Sequence, residues 1–287
     1  MMLDDKRVAI IGGGKMGEAL LAGWLDSDSR VASPDGNVAF VVVEPNEVRR
    51  DHFKKTYGVG AVASVTDIET GLDYEAFDLV LLAVKPQMLD EVLDQLAAEI
   101  DEGADMPLFV SIAAGKTTAC IEAAFAPREA HVVRVMPNTP LMVGQGASVI
   151  AAGAHATPQE ANLVEALFSA LGFARQVDEA DIDAVCALSG GGPAYVAAMV
   201  EALRDAAVED GLEPHLAEQL VVHTIAGTCT LMQRTGQTPE ETRIAVCSPG
   251  GTTLAALAAM EEGGFTPSLQ AGIHAAVRRA KELATCS

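Results

Sequence analysis

The chain has 287 residues, of which 49% are hydrophobic and 21% charged, so it can bury the core of a globular protein of one large or two smaller domains. Acidic residues number 40 against 19 basic ones, and the formal net charge of −21 disfavours nucleic acids and anionic membrane surfaces as partners. The five cysteines lack C-x-x-C spacing and the six histidines lack ligand spacing, which predicts no metal site. We expect reduced thiols in a cytoplasmic protein, and no apolar run reaches the roughly eighteen residues of a membrane helix.

The first half of the chain alternates short apolar runs with amphipathic stretches. The runs are continuous, as is typical of strands buried on both faces of a sheet, and comprise residues 8–11, 38–43, 79–84, 108–112, 132–135 and 148–150. Amphipathic stretches such as 16–25 and 89–100 predict helices between them. This alternation predicts an α/β fold with an N-terminal, Rossmann-like, doubly wound sheet.

From about residue 179 the pattern changes, and the rest of the chain is predicted to be helical. We therefore expect a dinucleotide-binding domain over residues 1–178 and an all-α domain over residues 179–287. Three Thr-Pro pairs predict helix starts, since Thr accepts free N–H groups and Pro fits the first turn: Thr157-Pro158, Thr238-Pro239 and Thr266-Pro267. Glu160 and Glu241 complete capping boxes for the first two pairs.

A glycine-rich segment directly follows the first apolar run and opens an amphipathic stretch. Its sequence, Gly12-Gly13-Gly14-Lys15-Met16-Gly17, fits G-x-G-x-x-G in the context that makes the pattern informative. The first glycine permits a tight turn, the second lets a pyrophosphate approach the backbone, and the third lets the helix pack against the strand. Together with the preceding Ile11, the segment predicts a site for NADPH or NADH.

Glu44 ends the second apolar run, where an acidic side chain hydrogen-bonds a ribose 2′-hydroxyl and repels a 2′-phosphate. A polar insert, residues 26–37, accounts for its long distance from the glycines. Taken alone, Glu44 favours NADH, whereas the nearby Arg49 and Arg50 favour a phosphate. The sequence therefore does not decide between NADH and NADPH. A third alternative is that Glu44 is a solvated surface residue that contacts neither cofactor.

Five later segments carry a resemblance that composition does not explain. In this order and spacing they resemble the pyrroline-5-carboxylate reductase family, from Val8 to about Glu282. The segments are A-V-K-P from Ala83 to Pro86, S-I-A-A-G from Ser111 to Gly115, R-V-M-P-N-T-P from Arg134 to Pro140, L-S-G-G-G-P-A-Y from Leu188 to Tyr195, and C-S-P-G-G-T-T from Cys247 to Thr253.

The resemblance implies an oxidoreductase that reduces the cyclic imine 1-pyrroline-5-carboxylate to L-proline, the last step of proline biosynthesis. NADPH or NADH supplies the hydride, and interlocked helical domains form a homodimer that is often assembled further into a decamer. In this family two further segments line the cofactor, which implies contacts from Ala83, Val84, Lys85, Pro86, Ala113, Ala114 and Gly115.

The resemblance also places the substrate in the glycine loop of the helical half. The implied substrate contacts are Ser248, Gly250, Gly251, Thr252 and Thr253, because a glycine turn leading into a helix offers N–H donors to a carboxylate. Thr253 is the implied catalytic residue, hydrogen-bonded to the imine nitrogen. Its hydroxyl is a poor acid, so water is an alternative proton source. Glu179 matches a family residue near the substrate, or else is a favourable acid at a helix N-terminus.

Two positions depart from the family pattern, and two other functions stay open. Gly191 stands where the family has Ser, and Ile244 stands where an Asp is common, which removes an expected polar contact near the cofactor. A related two-domain NAD(P)-dependent dehydrogenase would need a catalytic Lys in the second half, where only Lys281 follows Lys116. A non-catalytic dinucleotide sensor would need the glycine turn without the Ser248 loop.

Overall fold

The structure is a computed structural model that describes residues 2–26, 31, 39–70, 77–100 and 105–283. The chain divides into two compact units, Met1–Gly190 with Val277–Ser287, and Gly191–Ala276. The first unit contains the sheet and the second is helical. The predicted α/β fold with a helical C-terminal half is therefore confirmed.

A single sheet of eight strands forms the centre of the first unit. The strands are β1 Arg7–Ile11, β2 Ala39–Val43, β3 Gly60–Val62, β4 Leu79–Leu82, β5 Leu108–Ser111, β6 Val132–Met136, β7 Gly146–Ala152 and β8 Gly172–Gln176. Their order is β3-β2-β1-β4-β5-β6-β7-β8, and only β6 and β7 pair antiparallel. The order reverses between β1 and β4, and parallel sheets bind ligands beyond the strand ends at such a switch point.

The six predicted strand runs correspond to strands of the sheet, but two strands were not predicted. Residue 38 of the second run lies outside the described residues, as does most of the polar insert. The unpredicted strands, β3 and β8, lie at the two edges of the sheet. β3 has only three residues and β8 reads Gly-Phe-Ala-Arg-Gln, so neither carries the continuous apolar run of a central strand.

Helices cover both faces of the sheet, and the central strands are accordingly mostly apolar, with Ser111 and Arg134 as buried polar exceptions. The helices of this unit are α1 Lys15–Leu25, α2 Glu47–Tyr57, α3 Pro86–Glu99, α4 Thr118–Ala124, α5 Pro158–Ser169 and the short α6 Ile182–Val185. Val8 and Ile10 of β1 pack in one core with residues of α1 and α5. Ala9 and Ile11 pack in a second core with residues of α3 and α4. Successive strand side chains point to opposite faces, so one strand serves both cores.

The second unit consists of α7 Gly192–Glu209, α8 Pro214–Thr235, α9 Pro239–Ala245, α10 Thr252–Glu262 and most of α11 Phe265–Leu283. The capping boxes predicted at Thr157 and Thr238 are confirmed at the starts of α5 and α9. The helix predicted to start at Thr266-Pro267 is present as α11, but it begins one residue earlier, at Phe265, and Thr266 does not cap it because its hydroxyl donates to Glu261. Gly264, with φ +82°, turns the chain one residue before the helix, and its carbonyl accepts the Ser268 N–H.

Two further sequence expectations concern cysteines and apolar segments. Cys186, Cys229 and Cys247 are free, but Cys120 is disulfide-bonded, so the expectation of reduced thiols is wrong there. The segment Glu179–Glu209 has a mean hydropathy of 1.2 over its best window and is long and apolar enough for a membrane span by those criteria alone. Helices that pack against other parts of a protein meet the same length and hydropathy criteria, so one such segment is weak evidence of a membrane span.

Candidate active site

The glycine turn after β1 packs directly against the end of β4. Gly12 has φ +109°, and a Cβ placed on it would lie 2.8 Å from the backbone carbonyl of Ala83. A Cβ on Gly17 would collide with the carbonyl oxygen of Gly12, whereas one on Gly14 would meet no atom within 4 Å. Gly12 and Gly17 are therefore needed for packing, and the space beside Gly14 is open to a ligand.

Backbone hydrogen bonds continue past the strand ends and hold the predicted cofactor segments side by side. The Gly12 N–H donates to Val43 at 2.9 Å, and the Ala83 N–H donates to Ile11 at 2.8 Å. The Ile112 N–H donates to Leu82 at 3.1 Å, which aligns the next segment, Ala113 to Gly115. The turns after four neighbouring strands thus meet at one edge of the sheet.

Two helices present their N-termini at this edge. Gly14 is the residue preceding α1 and Lys85 the residue preceding α3, and neither helix has a side-chain cap. Pro86 occupies the first turn of α3 and has no N–H group to satisfy. The free N–H groups of α1 and the positive end of its dipole suit a pyrophosphate. Lys15 is exposed beside them.

Two of the predicted cofactor contacts belong to the core. Ile11 is 1% exposed and Ala113 is 3% exposed, both within the core beneath α3, so their side chains pack against the protein. Ala114 is exposed, and Gly115, with φ +77°, turns the chain beside it.

Glu44 lies against the glycine turn. A Cβ on Gly13 would be 2.9 Å from Glu44 Oε2, and Glu44 Oε1 accepts the Asn46 N–H at 2.8 Å. The two nearby arginines bind other groups. Arg49 donates to the Gly13 carbonyl and, at 2.8 Å, to Glu18, while Arg50 donates to the carbonyls of Glu44 and Pro45.

The Glu18 carboxylate collects several donors beside the turn. Burial raises its pKa, but hydrogen bonds from His52, Arg49 and Tyr57 outweigh burial and hold the pKa below the ordinary 4.5. The His52 and Tyr57 contacts measure 2.6 and 3.1 Å. The ionised Glu18 therefore holds the Arg49 guanidinium against the turn.

Sequence analysis missed one charged residue near these segments. Arg134 lies in β6 and is only 3% exposed. Its guanidinium donates to Glu179 at 3.2 Å, and both Glu179 oxygens also accept hydrogen bonds from Thr118 at 2.8 Å. Arg134 lines a depression of about 340 Å³ together with Ala114 and Gly115. The sequence signal that could have identified Arg134 is a single Arg within the apolar run of residues 132–135.

The glycine loop of the helical half lies in the second unit and leads into α10. Gly250 has φ +70°, and the Gly251 N–H donates to the Ser248 carbonyl at 3.0 Å, which closes a tight turn. Gly251 precedes α10 without a side-chain cap, so the first N–H groups of α10, including those of Thr252 and Thr253, have no capping side chain. This backbone arrangement suits an anion.

The departures from the family pattern are structurally mild. Gly191 directly precedes α7, a position that it occupies with ordinary right-handed backbone angles. Ile244 lies on α9 and is 57% exposed. An apolar side chain there leaves the loop geometry intact and offers no polar contact.

The fold and the glycine turn define a class, the Rossmann-type oxidoreductases that use a nicotinamide dinucleotide. The family model described as "NADP oxidoreductase coenzyme F420-dependent" matches residues 7–115, which cover the turn and the first five strands. A second family model, "Pyrroline-5-carboxylate reductase dimerisation", matches residues 179–283.

Comparison over the whole chain narrows the class to one family. A pyrroline-5-carboxylate reductase from Synechocystis is 40% identical, with 96% of this chain and 98% of the relative covered, and one from Arabidopsis thaliana is 36% identical, with 96% and 95% covered. The chain belongs to the pyrroline-5-carboxylate reductase family.

Solved structures of this family have the same fold as this chain. A Coxiella burnetii pyrroline-5-carboxylate reductase is 32% identical with a TM-score of 0.83, covering 97% of this chain and 98% of that one. A Plasmodium falciparum pyrroline carboxylate reductase with NADP bound is 25% identical with a TM-score of 0.83, covering 99% and 100%.

Alanine substitutions separate the packing role of the turn from its binding role. Gly12→Ala forces a Cβ against the Ala83 backbone, so we expect a loss of about 1–3 kcal/mol in the free energy of unfolding. Gly14→Ala places a Cβ in open space at φ −70°, so we expect stability like the parent's but NADH binding weakened about tenfold, or ~1.4 kcal/mol. Urea unfolding and NADH fluorescence titration measure the two effects.

Gly58→Ala is the control, since Gly58 has φ +67° with nothing near its Cβ. It carries backbone strain without a clash and lies outside the turn. Its stability should fall while NADH binding stays unchanged. Parent-like NADH affinity in Gly14→Ala would contradict the binding role of the open space.

Proposed function

We propose that this chain reduces 1-pyrroline-5-carboxylate to L-proline, with NAD(P)H held by the first unit and the substrate held by the glycine loop of the second. The observation that carries the proposal is the presence of both anion-suited elements in one chain of this family. A dinucleotide sensor would need only the first element, and a related two-domain NAD(P)-dependent dehydrogenase would need a catalytic Lys in the second half, where Lys281 in the last turn of α11 is the only lysine.

The residues of the first unit fit a dinucleotide. The open space beside Gly14 and the uncapped α1 suit the pyrophosphate, Glu44 suits a ribose, and the backbone from Val84 to Pro86 suits the next ribose. The exposed Ala114 and the partly exposed Gly115, which packs beside the Leu283 carbonyl, suit the nicotinamide. When bound, NAD(P)H supplies the hydride that reduces the imine carbon. The protein supplies position, because the reacting atoms must lie about 3–3.5 Å apart.

The loop before α10 is the proposed substrate site. The N–H groups of Thr252 and Thr253 at the start of α10 hold the carboxylate, and the Ser248 and Thr252 side chains border it. Thr253 donates its hydroxyl hydrogen bond to the imine nitrogen and orients it. As the carbon takes the hydride, the nitrogen needs one proton, which passes from the Thr253 hydroxyl or from water. In either route the net reaction consumes one proton and leaves the hydroxyl unchanged.

The helical unit supports a homodimer. Helices α7, α10 and α11 bury none of their described residues within the chain, although their sequences are rich in Ala, Leu and Met. An apolar groove of about 620 Å³ runs along them, lined by Tyr195, Met199, Met260, Phe265 and Leu269 among others. An apolar surface of this kind needs a partner. We propose that a second copy covers it, and a decamer is the larger assembly implied by the family.

Glu44 supports NADH as the preferred cofactor. Both arginines that would bind a 2′-phosphate already donate to carbonyls or to Glu18, whereas Glu44 lies at the glycine turn itself. A carboxylate there repels the additional phosphate of NADPH. The cytoplasmic location stays a prediction from the sequence.

Turnover tests the function, and Thr253→Val tests the proposed site. We expect the parent chain to oxidise reduced cofactor only when 1-pyrroline-5-carboxylate is present. The loss of the reduced cofactor's absorbance measures this reaction. Thr253→Val removes the hydrogen bond to the imine nitrogen, which gains electron density as the carbon takes the hydride, and should lower kcat/KM by about 10–100-fold. Thr228→Val is the control, because the Thr228 hydroxyl donates within α8 to Thr224. Cofactor binding without turnover in the parent would refute the reductase.

Glu44→Ser tests cofactor preference. The parent should show a higher kcat/KM with NADH than with NADPH, and removal of the carboxylate should raise kcat/KM with NADPH about tenfold, or ~1.4 kcal/mol. Glu47→Ser, at the exposed start of α2, changes the same charge without facing the turn. A parent chain that prefers NADPH would contradict the assignment, and Arg49 would then be the phosphate ligand to test.

Leu269→Glu tests the dimer. Leu269 is 51% exposed within the groove, so a charge there should prevent a second copy from covering it. We expect sedimentation velocity to show a monomer and turnover assays to show little activity. Val48→Glu, on α2 with 79% exposure, is the matched control. An unchanged sedimentation coefficient for Leu269→Glu would contradict the proposed interface, and the parent coefficient distinguishes dimer from decamer.

A further inference from the structure

Arg134 is a buried charge that the proposed reaction does not use. It is 3% exposed and lies within the otherwise apolar run of β6. Burial of a guanidinium is costly unless acidic groups compensate it. Such a residue in a central strand therefore needs a reason beyond packing.

The compensation comes from two carboxylates in the segment after β8. Arg134 Nη1 donates to Glu179 Oε1 at 3.2 Å, and Arg134 Nη2 lies 3.9 Å from Asp183 Oδ1. Glu179 also reaches the start of α4, where its Oε1 accepts the Thr118 N–H and its Oε2 accepts the Thr118 hydroxyl, both at 2.8 Å. Glu179 thus links Arg134 to Thr118.

The link spans the segment that we propose to face the nicotinamide. Arg134 is the register partner of Ser111 across β5 and β6, and the Ser111 hydroxyl accepts the Ala113 N–H at 3.3 Å. Thr118 lies three residues beyond Gly115. One end of the intervening loop is therefore paired with Arg134 through the strands and the other is bonded to Glu179 through Thr118, and Arg134 lines the same depression as Ala114 and Gly115.

We propose that Arg134 is a positioning residue that acts through Glu179 and Thr118 to hold the backbone from Ala113 to Gly115 against the nicotinamide. The inference rests on the proposed function, because it takes that backbone as the nicotinamide site. A displacement of about 1 Å can cost about a hundredfold in rate, so a network that does not touch the reacting atoms still controls the reaction.

Thr118→Val and Arg134→Lys test the network. Thr118→Val replaces a buried hydroxyl with a methyl group and keeps nearly the same shape. Arg134→Lys keeps the positive charge but loses the planar set of guanidinium donors. We expect NADH binding to weaken about five- to tenfold, while ADP-ribose, which lacks the nicotinamide, binds as it does to the parent. Turnover should fall about tenfold, and the isotope effect with cofactor deuterated at the transferred position should rise as hydride transfer becomes limiting.

Matched controls lie elsewhere in the same unit. Arg128→Lys alters an arginine that donates to carbonyls at the end of α3, and Thr157→Val alters a Thr–Glu contact at the start of α5. Both should lower the melting temperature without changing the ratio of NADH to ADP-ribose affinity. Circular dichroism confirms that each variant is folded.

Three outcomes would overturn the inference. The first is that the variants bind NADH and ADP-ribose with equally weakened affinity. The second is that both affinities and the isotope effect match the parent's. The third is a Glu179→Gln variant whose only defect is a raised KM for the substrate. The last would give Glu179 a direct substrate contact. Lack of turnover in the parent would refute the proposed function instead, and the two binding constants would still decide the positioning role.

Discussion

The structure depends on one close approach, between the glycine turn after β1 and the end of β4. The Ala83 carbonyl occupies the space where a Cβ of Gly12 would stand, and the carbonyl of Gly12 occupies the space where a Cβ of Gly17 would stand. These contacts set the distance between the two central strands and the start of α1. They also leave the N-terminus of α1 exposed at the point where the strand order reverses. The proposed cofactor site is a consequence of this packing.

The acidic composition raises the question of how the chain binds two anions. The formal net charge of −21 repels a dinucleotide and a carboxylate at long range, but salt screens charges over about 8–10 Å. At short range the proposed contacts are backbone N–H groups at the starts of α1 and α10, which carry partial positive charge and need no basic side chain. At the proposed sites, local dipoles rather than net charge therefore provide the binding.

The two units place different demands on their surroundings. The sheet unit buries its apolar strands under helices on both faces within one chain. The helical unit leaves the apolar sides of α7, α10 and α11 without cover from the described chain. The proposed cofactor contacts lie in the first unit, whereas the proposed substrate loop belongs to the unit that the proposed second copy would cover.

The sequence by itself determined the six apolar runs, the glycine turn, two capping boxes and the family, because each rests on a local spacing or a specific motif. It did not predict the edge strands β3 and β8, whose sequences lack a local signal. Only the tertiary structure decided that Arg49 binds Glu18 and that Arg134 binds Glu179. Those contacts join residues separated by 31 and 45 positions, and a spacing pattern within one strand or helix carries no information about them.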